Sequence, residues 1–156
     1  MVSFWCLLPF PDASSAVLIF GTLRFPARCR ANGSVGKDHV ARGDVSGLIG
    51  LTGEASGSIS VSFTEKSILA IVSGMFGEEM KVLNNEIMDA VGEIANMISG
   101  QARQKLEALG KSLNAAIPAV IMGKNHSISH ITSYPIIAIP FETDQGAFTV
   151  EFCFEE

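Results

Sequence analysis

The residues best suited to chemistry lie along one face of a predicted helix that spans residues 85 to 109. At about 100° of rotation per residue, seven positions project together from this face. We call them the polar stripe: Glu86, Asp89, Glu93, Asn96, Gly100, Arg103 and Glu107. Carboxylates accept hydrogen bonds, a guanidinium donates them, and an Asn amide does both. The polar stripe is therefore equipped to bind a polar group of another molecule.

Three features of this helix lower its stability. Asp89 and Glu93 are like charges four residues apart, Asn96 is a poor helix former in mid-helix, and Gly92 and Gly100 each cost about 1 kcal/mol relative to Ala. Such local costs tend to gather where function requires them. Gly100 would also leave space one turn beyond Asn96 for another surface. We expect a functional site here; the alternative is a stripe that is only solvated, with glycines that let the helix pack on a sheet.

The elements that must position this helix follow from hydrophobic periodicity. Residues 43–52 and 58–63 are predicted as two strands of a hairpin. Thr64 is the predicted N-cap of a short helix that ends near Gly77. Its predicted apolar face consists of Ile68, Leu69, Val72, Met75 and Phe76.

The long helix is capped by Asn84 or Asn85, and Gly110 follows it as a left-handed C-terminal residue. Its predicted core-facing positions are Ile87, Val91, Ile94, Ile98, Ala102, Leu106 and Leu109. Three further strands are predicted at residues 116–122, 134–141 and 147–154, the last two joined by a turn at residues 144–146.

The order of these elements predicts an α+β domain, in which an antiparallel-rich sheet carries one long and one shorter helix. Because proline cannot donate to a ladder, Pro135 and Pro140 predict that their strand lies at an edge or is bulged. Residues 1–36 show no sustained period and form an atypical N-terminal segment, whereas residues 37–156 form the regular domain.

Composition excludes several classes of function. The 156 residues are 47% hydrophobic and 17% charged, as expected for one folded domain. The net charge is -5 and the basic residues form no cluster, which argues against nucleic acid or a membrane as partner. Three widely spaced cysteines (Cys6, Cys29 and Cys153) favour reduced thiols in the cytoplasm. Residues 1–20 lack the basic start of a secretory signal, and no run reaches the roughly 18 apolar residues of a membrane span.

Common nucleotide sites are excluded by spacing. Gly110, Lys111 and Ser112 are preceded by Lys105 where a P-loop requires glycine. A dinucleotide-binding G-x-G pattern is absent from Gly47, Gly50, Gly53 and Gly57, which we interpret as turn glycines.

The cysteines and histidines do not match the pattern of a cysteine-based phosphatase or of a metal site. No cysteine is followed by the arginine that a cysteine-based phosphatase needs to hold phosphate. His126 and His130 lie four residues apart without a third metal ligand nearby, so we expect them to be surface or hydrogen-bonded histidines and predict no metal site.

One segment resembles a known signature. Residues 86–102, E-I-M-D-A-V-G-E-I-A-N-M-I-S-G-Q-A, resemble that of the CheC/CheX/FliY group of chemotaxis phosphatases. The segments G-D-V-S-G-L-I-G-L-T-G and A-I-P-A-V-I-M-G-K-N-H, with a single E-x-x-N pair, look most like CheX. The resemblance covers residues 37–156. Residues 1–36 do not resemble the amphipathic helix with which family members begin.

The resemblance implies an activity, the dephosphorylation of the phospho-aspartate of CheY or a CheY-like receiver domain. It places the acidic residue of the family on Glu93 and its catalytic amide on Asn96. An amide orients an attacking water without acting as a base, and Glu93 is placed to pair with a receiver lysine. The receiver supplies Mg²⁺, so the chain needs no cofactor of its own. We expect Asp89, Gly92, Gly100 and Arg103 to contact this partner.

The resemblance also implies a homodimer. The apolar row Phe148, Val150, Phe152 and Phe154 suggests that the dimer forms on the sheet. The alternative to a phosphatase is a receiver-binding or flagellar-switch module of the same fold, which would use the polar stripe for docking alone.

Overall fold

The computed structural model describes residues 28–29, 34–36, 41–130 and 134–155, which form eight strands and two helices. In chain order these are β1 (Arg28–Cys29), β2 (Ser34–Gly36), β3 (Arg42–Gly53), β4 (Ser56–Phe63), α1 (Glu65–Phe76), α2 (Asn85–Ala108), β5 (Leu113–Ala115), β6 (Ala119–Ser127), β7 (Ile136–Thr143) and β8 (Gly146–Glu155). Neither helix is both long and apolar enough to cross a membrane among these described residues.

The strands form one sheet in which every described pair is antiparallel. The order across it is β1-β7-β8-β4-β3-β5, while β2 also pairs with β7 and β6 also pairs with β3. Both hairpins, β3–β4 and β7–β8, lie where the sequence predicts them. The predicted α+β fold is therefore confirmed.

The strand predicted at residues 116–122 is wrong in its bounds. A short strand, β5, precedes it, and β6 extends to Ser127. Pro118 has no amide hydrogen to donate, and it lies between the two strands. Beyond Met122 the register of β6 against β3 shifts, and Asn125 adopts a positive φ of 51°. The strand continues beyond this irregularity to Ser127, past its predicted end at residue 122.

The prediction that the proline-containing strand lies at an edge or is bulged is also wrong, since its pairing with β8 continues without a shift in register. β7 has β8 on one side and both β1 and β2 on the other. Among the described residues, β2 pairs with residues 136–138 and β1 pairs with residues 141–142. Pro140 lies between these two paired stretches, where no hydrogen bond from its nitrogen is needed. Pro135 precedes the strand. The sheet thus accommodates both prolines without placing their strand at its edge.

Part of the atypical N-terminal segment belongs to the sheet, because β1 and β2 both lie before residue 37. The expectation that the N-terminal segment lacks the amphipathic helix of the family falls on residues outside those that the structure describes.

Both helices pack on one face of the sheet around an apolar core that includes Val45, Ile49, Val61, Phe63 and Val91. The row Phe148, Val150, Phe152 and Phe154 belongs to this core, and each residue is at most 6% exposed. The apolar row predicted to mediate dimer formation is therefore buried within the chain.

A glycine in β3 sets the distance between the sheet and α2. A Cβ atom at Gly47 would lie 2.9 Å from the Cβ of Ala95 and 3.3 Å from the carbonyl oxygen of Val91. The prediction that Gly47 and Gly50 lie in turns is wrong, because both are inside β3. At Gly47 the missing side chain instead lets α2 approach the sheet closely.

Candidate functional site

The orientation of α2 is fixed at both ends. The Asn84 side chain accepts a hydrogen bond from the amide of Ile87 at 3.0 Å, as the sequence predicts for an N-cap. After the helix, Gly110 has a φ of 83°, and its amide donates to the carbonyl of Glu107 at 2.9 Å. The predicted left-handed residue is confirmed.

The buried face of α2 matches the predicted core positions except at the C-terminal end. Six of the seven predicted residues are at most 6% exposed: Ile87, Val91, Ile94, Ile98, Ala102 and Leu106. Leu109 is 51% exposed because it lies at the C-cap, beyond the last buried turn. In α1, Phe76 is likewise exposed, whereas Ile71, which the pattern missed, is buried. With its apolar side against the sheet, α2 presents its polar stripe outward.

Every residue of the polar stripe is accessible. Glu86, Asp89, Glu93 and Glu107 are exposed, and Asn96, Gly100 and Arg103 are half-buried. These positions agree with the predicted helical face.

Glu93 and Asn96 lie next to each other on this face, since residues three apart are neighbours on a helix. With the described residues, neither side chain forms a hydrogen bond or an ion pair. The hydrogen bond at Asn96 involves its backbone carbonyl, which accepts from the Ser99 hydroxyl at 3.4 Å. The Asn96 amide and the Glu93 carboxylate are thus available to another molecule.

Gly92 has a different environment from the one expected of a partner contact. It is buried, and a Cβ atom there would lie 3.6 Å from Val120 and 3.9 Å from Pro118. Both are ordinary contact distances. The prediction that Gly92 contacts a partner is therefore wrong. Gly92 faces β6, and the residue just before that strand, within the chain.

The other predicted contacts, Asp89, Gly100 and Arg103, remain on the accessible side of α2. Gly100 and Arg103 also line an open, largely polar groove of about 320 Å³ between α2 and the segment at β5.

A second polar cluster lies on the opposite side of the sheet, and sequence reasoning missed it as a unit. We call it the far-face cluster: Ser58, Ser60, His130, Glu151 and Cys153. The Ser58 hydroxyl is 2.7 Å from His130 Nδ1, and His130 Nε2 is 3.5 Å from Glu151 Oε2. The side chains of His130 and Glu151 are 2% and 1% exposed.

Hydrogen bonds satisfy the buried carboxylate of this cluster. Glu151 Oε1 accepts from the amide of Ala41 at 3.0 Å, and Oε2 accepts from the Ser60 hydroxyl at 3.4 Å. The Cys153 sulfur lies 3.8 Å from His130 Nδ1 and 3.4 Å from the Ser58 hydroxyl.

The far-face cluster shifts the titration of its members. Burial favours neutral His130, but hydrogen bonds and charges from Cys153 and Glu151 outweigh it and raise the pKa of His130 to about 9. Burial likewise opposes ionisation of Cys153, yet the hydrogen bond from His130 leaves the pKa of the thiol below its usual value. His130 is therefore charged at neutral pH and forms a buried ion pair with Glu151.

Both histidines of the H-S-I-S-H segment are hydrogen-bonded, in agreement with the prediction. His126 contacts the Ser46 hydroxyl at 2.8 Å through Nε2 and the carbonyl of Gly123 at 2.6 Å through Nδ1. The far-face partners of His130 lie 70 or more residues away except for Cys153 and Glu151, so local spacing gave no sign of the cluster.

Asp44 is a structural residue that the sequence pattern did not reveal. Its carboxylate accepts hydrogen bonds from the amides of Asn125 at 2.9 Å and Glu65 at 2.8 Å. These two bonds hold the pKa of Asp44 below its usual value. Asp44 thereby ties β3 to the start of α1 and to β6.

Comparison with protein families settles the relationship that the fold and the polar stripe suggest. The model of the family described as chemotaxis phosphatase CheX matches residues 45–142, which include most of β3, both helices and most of β7. The chain belongs to the CheX family.

Individual CheX proteins are similar to this chain. CheY-P phosphatase CheX of Thermotoga maritima is 38% identical over 82 residues, which are 52% of this chain and 53% of that protein. The match thus spans about half of the length of either protein.

Solved structures extend the similarity along more of the chain. CheX of Desulfovibrio desulfuricans has a TM-score of 0.81 at 45% identity and covers 91% of this chain and 95% of its own. A CheX–CheY–BeF₃–Mg²⁺ complex from Borrelia burgdorferi has a TM-score of 0.73 at 25% identity, with coverage of 96% of this chain and 97% of that chain.

Proposed function

We propose that this chain is a phosphatase that hydrolyses the phospho-aspartate of CheY or a CheY-like receiver domain. The observation that carries the proposal is the pair Glu93 and Asn96, adjacent on an exposed helical face and without side-chain partners among the described residues. The pair lies within the region that matches the CheX family. The relative from Thermotoga maritima is named a CheY-P phosphatase, which supports the same activity.

Hydrolysis of an acyl phosphate requires water to attack phosphorus opposite the leaving carboxylate. The water oxygen forms a bond to phosphorus, the bond from phosphorus to the aspartyl oxygen breaks, and the products are phosphate and a free carboxylate. In this proposal the Asn96 amide accepts a hydrogen bond from the water and donates one near the phosphoryl group, which orients the water. Asn96 is then the catalytic residue of this chain.

Glu93 has a separate role in the proposal. One turn before Asn96, its carboxylate pairs with a lysine of the receiver and fixes the register of docking. The exposed side chain of Asp89 and the accessible Gly100 and Arg103 extend the contact surface along the same helical face.

The metal in this reaction belongs to the partner. Mg²⁺ held by the receiver neutralises charge on the phosphoryl group, and the complex from Borrelia burgdorferi includes Mg²⁺ together with CheY. We therefore propose that the chain has no cofactor of its own and acts in the cytoplasm together with its receiver.

We also propose that the chain forms a homodimer, through a surface other than the buried phenylalanine row. Among the described residues, β6 pairs only with β3. The residues at and before this strand include Ile117, Ile121 and Met122, which are 91%, 40% and 46% exposed. An apolar edge strand is suited to association with a second copy. Sedimentation at micromolar concentration tests the dimer, and a monomer would contradict it.

The phosphatase proposal is tested with a CheY receiver phosphorylated by acetyl phosphate. After the phosphodonor is removed, loss of the phosphoryl group is followed with and without this protein. A substoichiometric amount of the chain should accelerate the loss. Binding without acceleration would instead favour a docking module that uses the polar stripe for association alone.

A further inference from the structure

We propose that the groove beside the C-terminal half of α2 binds a side-chain carboxylate of the receiver domain, through Arg103, while receiver backbone passes over Gly100. This inference rests on the proposed function, since it names the chemistry by which the same partner is recognised. Arg103 is assigned a docking role, distinct from the chemical step at Asn96.

The groove is an open, polar space of about 320 Å³. Gly100, Arg103, Gln104 and Glu107 line it from α2, and Ser112 and Asn114 line it from the segment at β5. Its walls therefore place hydrogen-bond donors from two different elements, together with the Glu107 carboxylate, around one guanidinium group. A space of this size holds a loop side chain together with a short stretch of its backbone.

Arg103 is the cation among the described residues that line this groove. Its Nε atom is shielded from solvent and has no hydrogen-bond partner among those residues. Among the described residues the guanidinium forms no ion pair, although Glu107 lies one turn away on the same helical face. A buried donor without an acceptor is costly, so a ligand that draws the Arg103 side chain into the groove and supplies an acceptor relieves that cost.

The geometry of arginine indicates which acceptor fits. A guanidinium presents parallel N–H groups that match the two oxygens of a carboxylate. The phosphoryl group of the substrate is assigned to Asn96, seven residues earlier. Seven residues correspond to about 10 Å along the helix axis and return to nearly the same azimuth. Arg103 therefore lies too far from the phosphoryl group for direct contact but on the same docking face.

Gly100 provides the second observation. A Cβ atom at this position would meet no atom of the described residues within 4 Å. Packing among these residues thus does not require glycine here, even though glycine is less favourable than alanine inside a helix. The absence of a side chain does leave the helix surface low between Asn96 and Arg103. Receiver backbone fits in that depression when its carboxylate reaches the groove.

The experiment measures binding apart from turnover. A CheY receiver loaded with Mg²⁺ and beryllofluoride is titrated with the wild-type chain and with Arg103→Gln, Arg103→Lys and Gln101→Ala. Arg103→Gln should weaken binding about tenfold, the loss expected for one charge-assisted contact. Arg103→Lys should lose less, because it retains the charge, and Gln101→Ala, exposed on α2 but outside the groove, should remain within about twofold of wild type.

Kinetics with the phosphorylated receiver distinguish docking from catalysis. Arg103→Gln should raise KM about tenfold and leave kcat within about twofold of wild type. Receiver carboxylates are neutralised one at a time. One of these changes should weaken binding of the receiver to the wild-type chain and have no further effect on its binding to Arg103→Gln. That loss of additivity would assign the acceptor.

Three results would overturn the inference: unchanged affinity for Arg103→Gln, a fall in kcat at unchanged KM, or an altered oligomeric state in place of altered receiver binding. The last result would mean that a second copy of the chain fills the groove. Failure of the proposed function gives a different pattern. A wild-type chain that binds the receiver through Arg103 but does not accelerate phosphate loss would refute the phosphatase and retain the groove.

Discussion

The polar stripe of α2 and the far-face cluster lie on opposite sides of the same sheet, and they differ in what satisfies their polar groups. In the far-face cluster, Glu151 is fully buried and accepts hydrogen bonds from Ala41 and Ser60. In the polar stripe, Glu93 and Asn96 are accessible and have no side-chain partner among the described residues. One cluster is completed by the chain, whereas the other is open to a partner.

This difference cautions against one common criterion for functional sites. Displaced pKa values often mark catalytic residues. In this chain the pKa of His130, in the far-face cluster, is raised to about 9, which favours the charged imidazolium. Its network is nevertheless buried and joined by hydrogen bonds within the chain. A phosphatase that orients water by an amide needs no displaced pKa of its own, because the receiver brings the charged groups. If the proposed function holds, unused hydrogen-bonding capacity is the better criterion in this protein.

The largest expected effect on folding is in the far-face cluster. Glu151→Ala leaves a buried imidazolium without its counter-ion, and we expect it to lower the free energy of unfolding by about 3–5 kcal/mol. Urea unfolding measures the loss, and Glu155→Ala, at the exposed end of the same strand, is the matched control. A loss no larger than that of the control would mean that the ion pair is not structural.

The pH dependence of stability should come from the same pair. The folded pKa of His130, about 9, lies above the ordinary value of 6.5. Its contribution to stability is therefore complete below pH 6.5 and is lost as the pH rises through 9.

Cys153 acts in the opposite direction, since its pKa is lowered. The measurement therefore compares the wild-type chain with Cys153→Ser, in which Glu151 still raises the pKa of His130 but the contribution of Cys153 is lost, and it uses His130→Gln in each background as the control. A stability that stays constant as the pH rises through the elevated pKa of His130 would contradict the charged histidine.

The contrast between local and long-range features explains what the sequence predicts. The limits of α2, its cap at Asn84 and its exposed and buried faces follow from a periodicity contained within the helix itself. The far-face cluster joins Ser58 to His130 across 72 residues, so no local pattern encodes it. The placement of Gly92 against Val120 depends on how β6 pairs, which the sequence pattern also leaves open.

Two glycines test, with a smaller expected effect, which side of α2 packs against the rest of the chain. Gly47 lies in β3 beneath α2, and Gly100 lies on the accessible side of α2. Gly47→Ala should cost about 1–3 kcal/mol, because its Cβ would collide with that of Ala95 and push α2 from the sheet. Gly100→Ala should add up to about 1 kcal/mol of stability, since alanine favours the helix and the site is open. Thermal unfolding of both variants measures the difference. If Gly100→Ala destabilised the chain as much as Gly47→Ala, Gly100 would lie in contact with another part of the chain.

The smallest expected effect concerns Glu93. An exposed ion pair with a receiver lysine should contribute about two- to fivefold in affinity. Glu93→Gln should show this loss with the beryllofluoride-loaded receiver, and the loss should shrink as salt is added. Glu86→Gln, an exposed carboxylate two turns earlier, is the control. An equal change in both variants would indicate a general effect of charge without a specific pair.

The central claim, that Asn96 orients the attacking water, is tested most directly by the decay rate of a phosphorylated CheY receiver in the presence of Asn96→Ala. Alanine should leave the fold intact or slightly stabilise it, because the Asn96 side chain makes no bond to the described residues and alanine is the better helix former. We expect Asn96→Ala to bind the beryllofluoride-loaded receiver nearly as wild type and to lose all stimulated decay, while the exposed Gln101→Ala retains it. Decay at the wild-type rate with Asn96→Ala would contradict the account.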